Sequence, residues 1–341
     1  MATVWASSQG QFMVRNYSAT LCGMDISKVR VLPAEIGGGF GGKTTVYLEP
    51  VAIMLSRKSG KPVKLVMNRE EVFRATGPTS GGHAHAKIGA KRDGTIVAGE
   101  LTMEYEAGAF AGSPVQFGCM TGYAPYDIPN VKAVGYDVVV NRPKVAAYRA
   151  PGAPVAAFAV ESALDELAKK LDMDPIALRE KNAATEGTQA AYGPKFQRIG
   201  YLETLEAAKN HPHWSAPLGP NQGRGVASGF WFNIGGESSA AMHVNEDGTV
   251  EVVTANPDIG GSRASMAIMA AEVLGIEVSR VKPLIADTSS SAYSMLTGGS
   301  RVTFAVGKAV CEAADHVIEE LRGRAAKLWD VELDTVEWRD G

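Results

Sequence analysis

The chain has 341 residues, 45% of them hydrophobic and 21% charged, enough apolar material for one large domain or two ordinary ones, which excludes a disordered or low-complexity chain. Lys+Arg 34 against Asp+Glu 37 leaves a formal charge of −3, and no basic run exists of the kind that tracks nucleic acid or anionic lipid. No apolar stretch approaches the roughly 20 residues of a membrane span, and Met1 opens straight into Ala-Thr-Val-Trp without the basic and apolar regions of a secretory signal, so the expected location is the cytoplasm.

Periodicity predicts short strands from Thr3 to Ala6 and from Lys28 to Leu32, flanking a helix from about Phe12 to Cys22. A second helix, about Thr45 to Arg57, follows the cluster Gly37-Gly38-Gly39-Phe40-Gly41-Gly42. Ala84 to Ala109 alternates around an Asp93-Gly94 turn and reads as long antiparallel strands, with another strand from Ala133 to Asn141. Val155, Phe158, Leu164, Leu167 and Leu171 recur at helical spacing after Pro154, and Asp174-Pro175 opens a further helix with an N-cap and a proline. Gly187 to Gly225, rich in Gly, Pro, Asn and His, reads as a connection. Beyond it come a strand pair between Ala241 and Ala255 around Asp247-Gly248, a helix from Ser262 to Leu274, a strand from Val281 to Ala286, and a long helix from about Thr303 to Lys327.

The halves repeat weakly. Met24-Asp-Ile-Ser27-Lys-Val29 lies over Ile276-Glu-Val-Ser279-Arg-Val281, each with a helix before it, a strand after it, and then a glycine cluster expected to open another helix. The expected architecture is α+β, with two related half-domains of mixed sheets and helices, 1–215 and 216–341, carrying glycine-rich loops.

The three cysteines, Cys22, Cys119 and Cys311, are scattered, so no disulfide framework, zinc set or iron–sulfur set is encoded. His83 and His85 share one face of a strand but have no third ligand nearby. The 38 glycines exceed the usual ~7%, and such loops bring bare N–H groups close to an anion. Gly37 to Thr44 fits both the P-loop and the dinucleotide patterns. Pro33 and Glu35 suit a central strand poorly, and Arg57-Lys58-Ser59 stands where a dinucleotide fold needs an acidic residue.

Three motifs in order, Gly37-Gly-Gly-Phe40-Gly-Gly-Lys43, then Ala147-Tyr148-Arg149-Ala-Pro-Gly152 leading to Glu161-Ser-Ala-Leu-Asp165, then Asp174-Pro-Ile-Ala-Leu178-Arg-Glu-Lys-Asn182, resemble the molybdenum-binding subunit of the xanthine oxidase family. Gly298-Gly299-Ser300-Arg301 continues the likeness, which covers essentially the whole chain. The resemblance implies a molybdenum–molybdopterin cofactor in its cytosine dinucleotide form, and oxidation of an aldehyde or N-heteroaromatic compound with water. It further implies iron–sulfur and FAD cofactors on partner subunits, in a hetero-oligomer. By position it implies cofactor contacts at Gln9, Gly39, Phe40, Gly41, Arg149, Gly261, Gly299 and Ser300, and a substrate pocket at Thr44 and Pro151. The residues alone leave structural roles open: Gln9 as a strand-end polar group, Phe40 as a core plug, Arg149 as a partner for Glu161.

Departures accompany the likeness. The family's glutamate base sits in a Gly-x-Gly-Glu motif that this sequence lacks, so no catalytic residue is assigned and the base is expected beyond Gly341. Glu35, Glu161 and Glu237 are poor substitutes. Gly260-Gly261-Ser262-Arg263 stands where the family has Met-Gly-Gln-Gly, leaving Arg263 either a phosphate contact or solvated. Thr44 and Pro151 replace the groups that recognise purines. Two other functions stay in view: a non-catalytic cofactor-binding or assembly segment, and a P-loop nucleotide hydrolase.

Overall fold

The computed structural model describes residues 1–285 and 287–341; Ala286, the last residue of the strand expected from Val281, lies outside them. In chain order the elements are β1 (Ala2–Ala6), α1 (Gln11–Leu21), β2 (Val29–Pro33), α2 (Glu49–Ser59), α3 (Arg69–Ala75), β3 (Gly82–Ala90), β4 (Ile96–Gly108), α4 (Val115–Thr121) and β5 (Val131–Val139). They continue with α5 (Ala153–Leu171), α6 (Pro175–Lys181), α7 (Tyr201–Asn210), α8 (Pro212–Ser215), β6 (Ala240–Val244), β7 (Val250–Thr254), α9 (Ser262–Leu274), β8 (Val281–Ile285) and α10 (Gly307–Trp329). Two compact units result: Met1–Thr76 together with Asn233–Gly341, and Gly77–Phe232.

The first unit holds both copies of the repeat. β1 pairs with β2 in parallel through the crossover α1, and β7 pairs with β8 in parallel through α9, each over a five-residue register. β6 adds an antiparallel strand to β7 only. Each copy has its own apolar core: Val4, Val14, Val31 and Ile53 in one, Val252, Ala270, Leu274, Val306 and Val310 in the other. Alternation places Val4 and Ala6 inward and leaves Thr3 and Trp5 exposed.

The second unit packs the sheet β3-β4-β5 on α5. Its hairpin turns where Thr95 N–H donates to Asp93 Oδ1 at 3.0 Å and Gly94 takes φ +86°. α5 starts at Gly152 with Pro154 in its first turn and ends at Asp172 in the left-handed region. Asp174 Oδ1 caps α6 by accepting from Ile176 and Ala177 N–H, at 2.8 and 2.9 Å. His83 and His85 are exposed on β3, and among the described residues no cluster of His, Cys, Asp and Glu could hold a metal.

Several expectations are corrected. The stretch read as a plain connection contains α7 and α8. The glycine cluster does not open a helix: α2 begins at Glu49, with Leu48 at its N-cap, after a further turn. The last helix is entered through a five-residue π-turn, Val302–Val306. Among the described residues no helix is long and apolar enough to cross a membrane.

Candidate functional site: three loops held by buried polar side chains

The loop after β2 is built around Gln9, which is 2% exposed. Its Oε1 accepts from the backbone N–H groups of Gly41 (2.9 Å) and Lys43 (3.1 Å), and its Nε2 donates to the Thr297 carbonyl (2.7 Å). Main-chain bonds run alongside: Gln9 N–H to Lys43 O at 3.0 Å and Thr297 N–H to Gln9 O at 2.7 Å. One buried amide therefore clamps the 37–44 loop to the 295–301 loop. Gly39 must lack a side chain because a Cβ there would stand 2.5 Å from the Gln9 amide carbon. Thr44 Oγ1 donates to the Gly41 carbonyl at 2.8 Å and closes the turn.

Phe40 is not a core plug. It is 60% exposed and held at φ +53°, with its ring beside Gly38; a left-handed non-glycine residue of this kind stores on the order of 1–3 kcal/mol of strain. Lys43 folds back so that its Nζ donates to the Ile36 carbonyl, and burial pulls its pKa below the usual lysine value. With this lysine turned into its own loop and no helix at the loop's end, the P-loop geometry is not made.

Arg301, which the sequence offered only as the tail of Gly298-Gly299-Ser300, organises the other loop. It is fully buried. Its guanidinium donates to the carbonyls of Gly235 (2.6 Å), Gly236 (2.9 Å), Glu237 (2.8 Å) and Met295 (2.9 Å), and to Ser238 Oγ (2.5 Å). No carboxylate pairs with it among the described residues, and burial lowers its pKa. Ahead of it, Gly299 and Ser300 take φ +63° and +60°.

The third loop precedes α9. Asp258 Oδ1 accepts from Gly260 and Ser262 N–H, both at 3.0 Å, and Oδ2 accepts from Arg263 Nε at 2.8 Å. Burial works against the charged carboxylate, but Arg263 and these N–H groups outweigh it and hold Asp258 well below the usual carboxylate range. Arg263 also reaches Glu35 at 3.0 Å; it is exposed but engaged by two carboxylates, and the protein's own carboxylate occupies the first donors of α9. At Gly260 and Gly261, both at positive φ, a Cβ would meet nothing within 4 Å, so the backbone borders open space. Asn256 Nδ2 donates to the Met295 carbonyl at 2.9 Å, whereas its buried Oδ1 has no partner. An Asn-Pro pair beginning two residues after β7 is the only sequence signal for it.

Arg149 and Pro151 belong to the second unit. Arg149 is exposed at φ +22°, Ala150 takes φ +53° and Gly152 φ +85°, giving a strained turn at the start of α5. A Cβ on Gly152 would lie 2.6 Å from Gly118 N and Pro114 O, which fixes this turn against α4. Glu161 does not pair with Arg149. It binds the fully buried Arg179 at 2.8 Å and accepts from Tyr126 Oη at 2.5 Å and Ser228 N–H at 2.8 Å. Glu161 is thereby a structural residue, Glu35 is spent on Arg263, and Glu237 contributes its carbonyl to Arg301. Trp231 and Phe232 pack with Phe117, Tyr192 and Phe230.

A phosphate-bearing pterin requires bare N–H donors at positive-φ backbone. The N–H groups of Gly38, Phe40, Gly299 and Ser300, all at positive φ, have no protein acceptor among the described residues. The residues present fit such a group.

Comparison with known proteins agrees. Residues 1–183 and 197–341 each match the molybdopterin cofactor-binding domain family. The putative xanthine dehydrogenase molybdenum-binding subunit of Escherichia coli K12 is 32% identical over 96% of this chain and 46% of its own length. The nicotinate dehydrogenase large molybdopterin subunit of Eubacterium barkeri is 35% identical over 61% of this chain and 50% of its own. The crystal structure of quinoline 2-oxidoreductase from Pseudomonas putida 86 superposes with a TM-score of 0.87 at 23% identity, covering 99% of this chain and 47% of that one, and shares the fold. Aldehyde oxidoreductase from Desulfovibrio gigas superposes at 0.82 with 27% identity, covering 92% and 37%. The chain spans about half the length of the curated relatives it matches.

Proposed function

We propose a function for this chain from its family: it belongs to the molybdenum-binding subunits of the xanthine oxidase family, and it consists of molybdopterin cofactor-binding domains. The nucleotide-hydrolase alternative is set aside. In our reading the 37–44 and 295–301 loops hold the pterin and its phosphates through the N–H groups of Gly38, Phe40, Gly299 and Ser300. Gln9, Gly39 and Gly41 set the spacing between those loops, and Gly261 offers bare backbone beside open space. Only one of the two N–H bonds of the Gln9 amide is spent on Thr297, so the other is a donor for the cofactor. Arg149 carries its positive charge on the exposed turn ahead of α5. The cofactor-binding segments are 1–215 and 216–341, a division supported by the β1-α1-β2 and β7-α9-β8 repeat.

When bound, the molybdenum centre supplies two-electron oxidation of a carbon centre, with water as the oxygen source. We assign the substrate as an aldehyde or N-heteroaromatic compound, from the residue types at Thr44 and Pro151. Neither residue offers the charge or ring-stacking that purine recognition needs. The nucleotide on the pterin is cytosine in this reading, and electrons leave through iron–sulfur and FAD partner subunits of a cytoplasmic hetero-oligomer.

The proton of the attacking water needs a base tuned to accept it. Glu35 and Glu161 are committed to ion pairs and no Gly-x-Gly-Glu motif surrounds Glu237, so we assign the base to polypeptide beyond Gly341. The isolated 341 residues then bind cofactor without turnover. The observation that carries the proposal is the set of four unpaired N–H groups on two loops clamped by one buried glutamine. The natively purified complex should oxidise aldehydes or N-heteroaromatics, and Arg149→Ala should remove that activity. Retained activity in Arg149→Ala would overturn the assignment of Arg149. Cofactor without turnover in the full complex would favour the assembly reading.

A further inference from the structure

Each copy of the repeat in the first unit sends one buried amide off the carboxyl end of its first parallel strand: Gln9 follows β1, and Asn256 follows β7. Gln9 is 2% and Asn256 3% exposed, and both converge on Thr297, which is buried as well. Gln9 Nε2 donates to the Thr297 carbonyl at 2.7 Å, and Asn256 Nδ2 donates to Thr297 Oγ1 at 3.4 Å. The same Nδ2 donates to the Met295 carbonyl at 2.9 Å, an oxygen that also accepts from Arg301 Nη1 at 2.9 Å. Asn256 thus touches both of the side chains' territories, the Thr297 of Gln9 and the Met295 of Arg301.

These partners fix the direction of the Asn256 amide. Turned over, its Oδ1 would face the Met295 carbonyl, acceptor against acceptor. As placed, both of its N–H bonds are spent and the buried Oδ1 is left without a partner. What Asn256 supplies here is therefore its pair of donors, at the expense of an unmade acceptor. Beyond Thr297 the bonds continue: Thr297 N–H donates to Gln9 O at 2.7 Å, and Gln9 Oε1 accepts from the N–H groups of Gly41 and Lys43. A buried polar network of this kind behaves as a unit rather than as separate pairs.

We infer that Asn256 is a positioning residue for Gln9: by holding Thr297 it sets where the Gln9 amide stands, and so steadies the 37–44 loop from the other copy of the repeat. Asn256 makes no hydrogen bond to the 37–44 loop among the described residues, so its influence there passes through Thr297 and Gln9. The consequence for cofactor binding rests on the reading of these loops given above, whereas the relay itself does not.

Hydrogen exchange at single amides tests the relay in protein purified from cells unable to make molybdopterin. Asn256→Ala should speed exchange at Gly41 and Lys43 at least about tenfold, while the amides of Ala19 in α1 and Ile53 in α2 keep their rates. Thr297→Val removes only the hydroxyl that Asn256 holds. It should speed the same two amides at least about threefold, and it decides the matter if Asn256→Ala does not fold. Two outcomes would overturn the inference: faster exchange confined to 256–263 and 293–301 with Gly41 and Lys43 unchanged, or equal acceleration of Ala19 and Ile53 in both variants, the mark of a general loss of structure. In protein from cells that make the cofactor, pterin content should fall in Asn256→Ala. Selective exposure of Gly41 and Lys43 with pterin fully retained would uphold the relay and contradict the cofactor reading of the loops.

Discussion

Among the described residues two arginines are completely buried, one in each compact unit, and they are partnered in opposite ways. In the second unit Arg179 meets Glu161 and Asp165, at 2.8 and 2.9 Å; burial opposes its charge, but the carboxylates outweigh that and raise its pKa. In the first unit Arg301 meets backbone carbonyls and one serine hydroxyl, and burial lowers its pKa. A carboxylate partner fixes a helix pair, α5 on α6. Carbonyl partners, with the Ser238 hydroxyl beside them, fix loops, and loops are what a cofactor needs held still.

Substitution separates the two arrangements. Glu161→Ala should cost about 3–5 kcal/mol by removing the buried carboxylate of the pair and leaving Arg179 only the half-exposed Asp165, and the double variant Glu161→Leu/Arg179→Met should recover most of it in urea denaturation. Arg301→Met should cost about 3 kcal/mol through its orphaned carbonyls. It should have no second-site rescue, because those acceptors are main chain. A double variant that fails to recover would erase the contrast.

Gln9→Ala is expected to lose about 1–3 kcal/mol and to speed proteolysis within 37–44 and 295–301 together, since one amide ties both loops. Gly299→Ala should cost about 1–2 kcal/mol, given φ +63° and a Cβ 2.9 Å from Ile234. The smallest effect concerns Asp258. Its carboxyl lies below its unfolded value of about 3.9, so the fold gains stability above that pH and loses it as pH falls through the depressed value. Asp258→Asn should be less stable than the parent at neutral pH, with the difference shrinking on acidification.

How much of this was legible beforehand depended on how locally each feature is encoded. α5 and α6 could be read because Pro154 and Asp174-Pro175 mark their starts and leucines mark their buried face. α7 was hidden because its ten residues carry only Leu202 and Leu205 as large aliphatics, amid Gly, Pro and His. The glycine cluster pointed to a loop that holds something, yet not to where its helix begins, since Gln9, some thirty residues away, takes the N–H groups of Gly41 and Lys43. Arg301 and Asn256 were illegible for the same reason: their partners, at 235–238 and at 295–297, come together only in the fold. The pairing of Glu161 with Arg179 rather than Arg149 likewise depends on how α5 and α6 pack.

We propose above that the clamped loops of the first unit hold a molybdopterin. Metal and pterin analysis of the natively purified protein tests it most directly, with Gly299→Val, which places a branched side chain on one of those loops, measured alongside. About one molybdenum and one pterin per chain are expected, with both lost in Gly299→Val. Tight magnesium–ATP binding with no molybdenum and no pterin would contradict it.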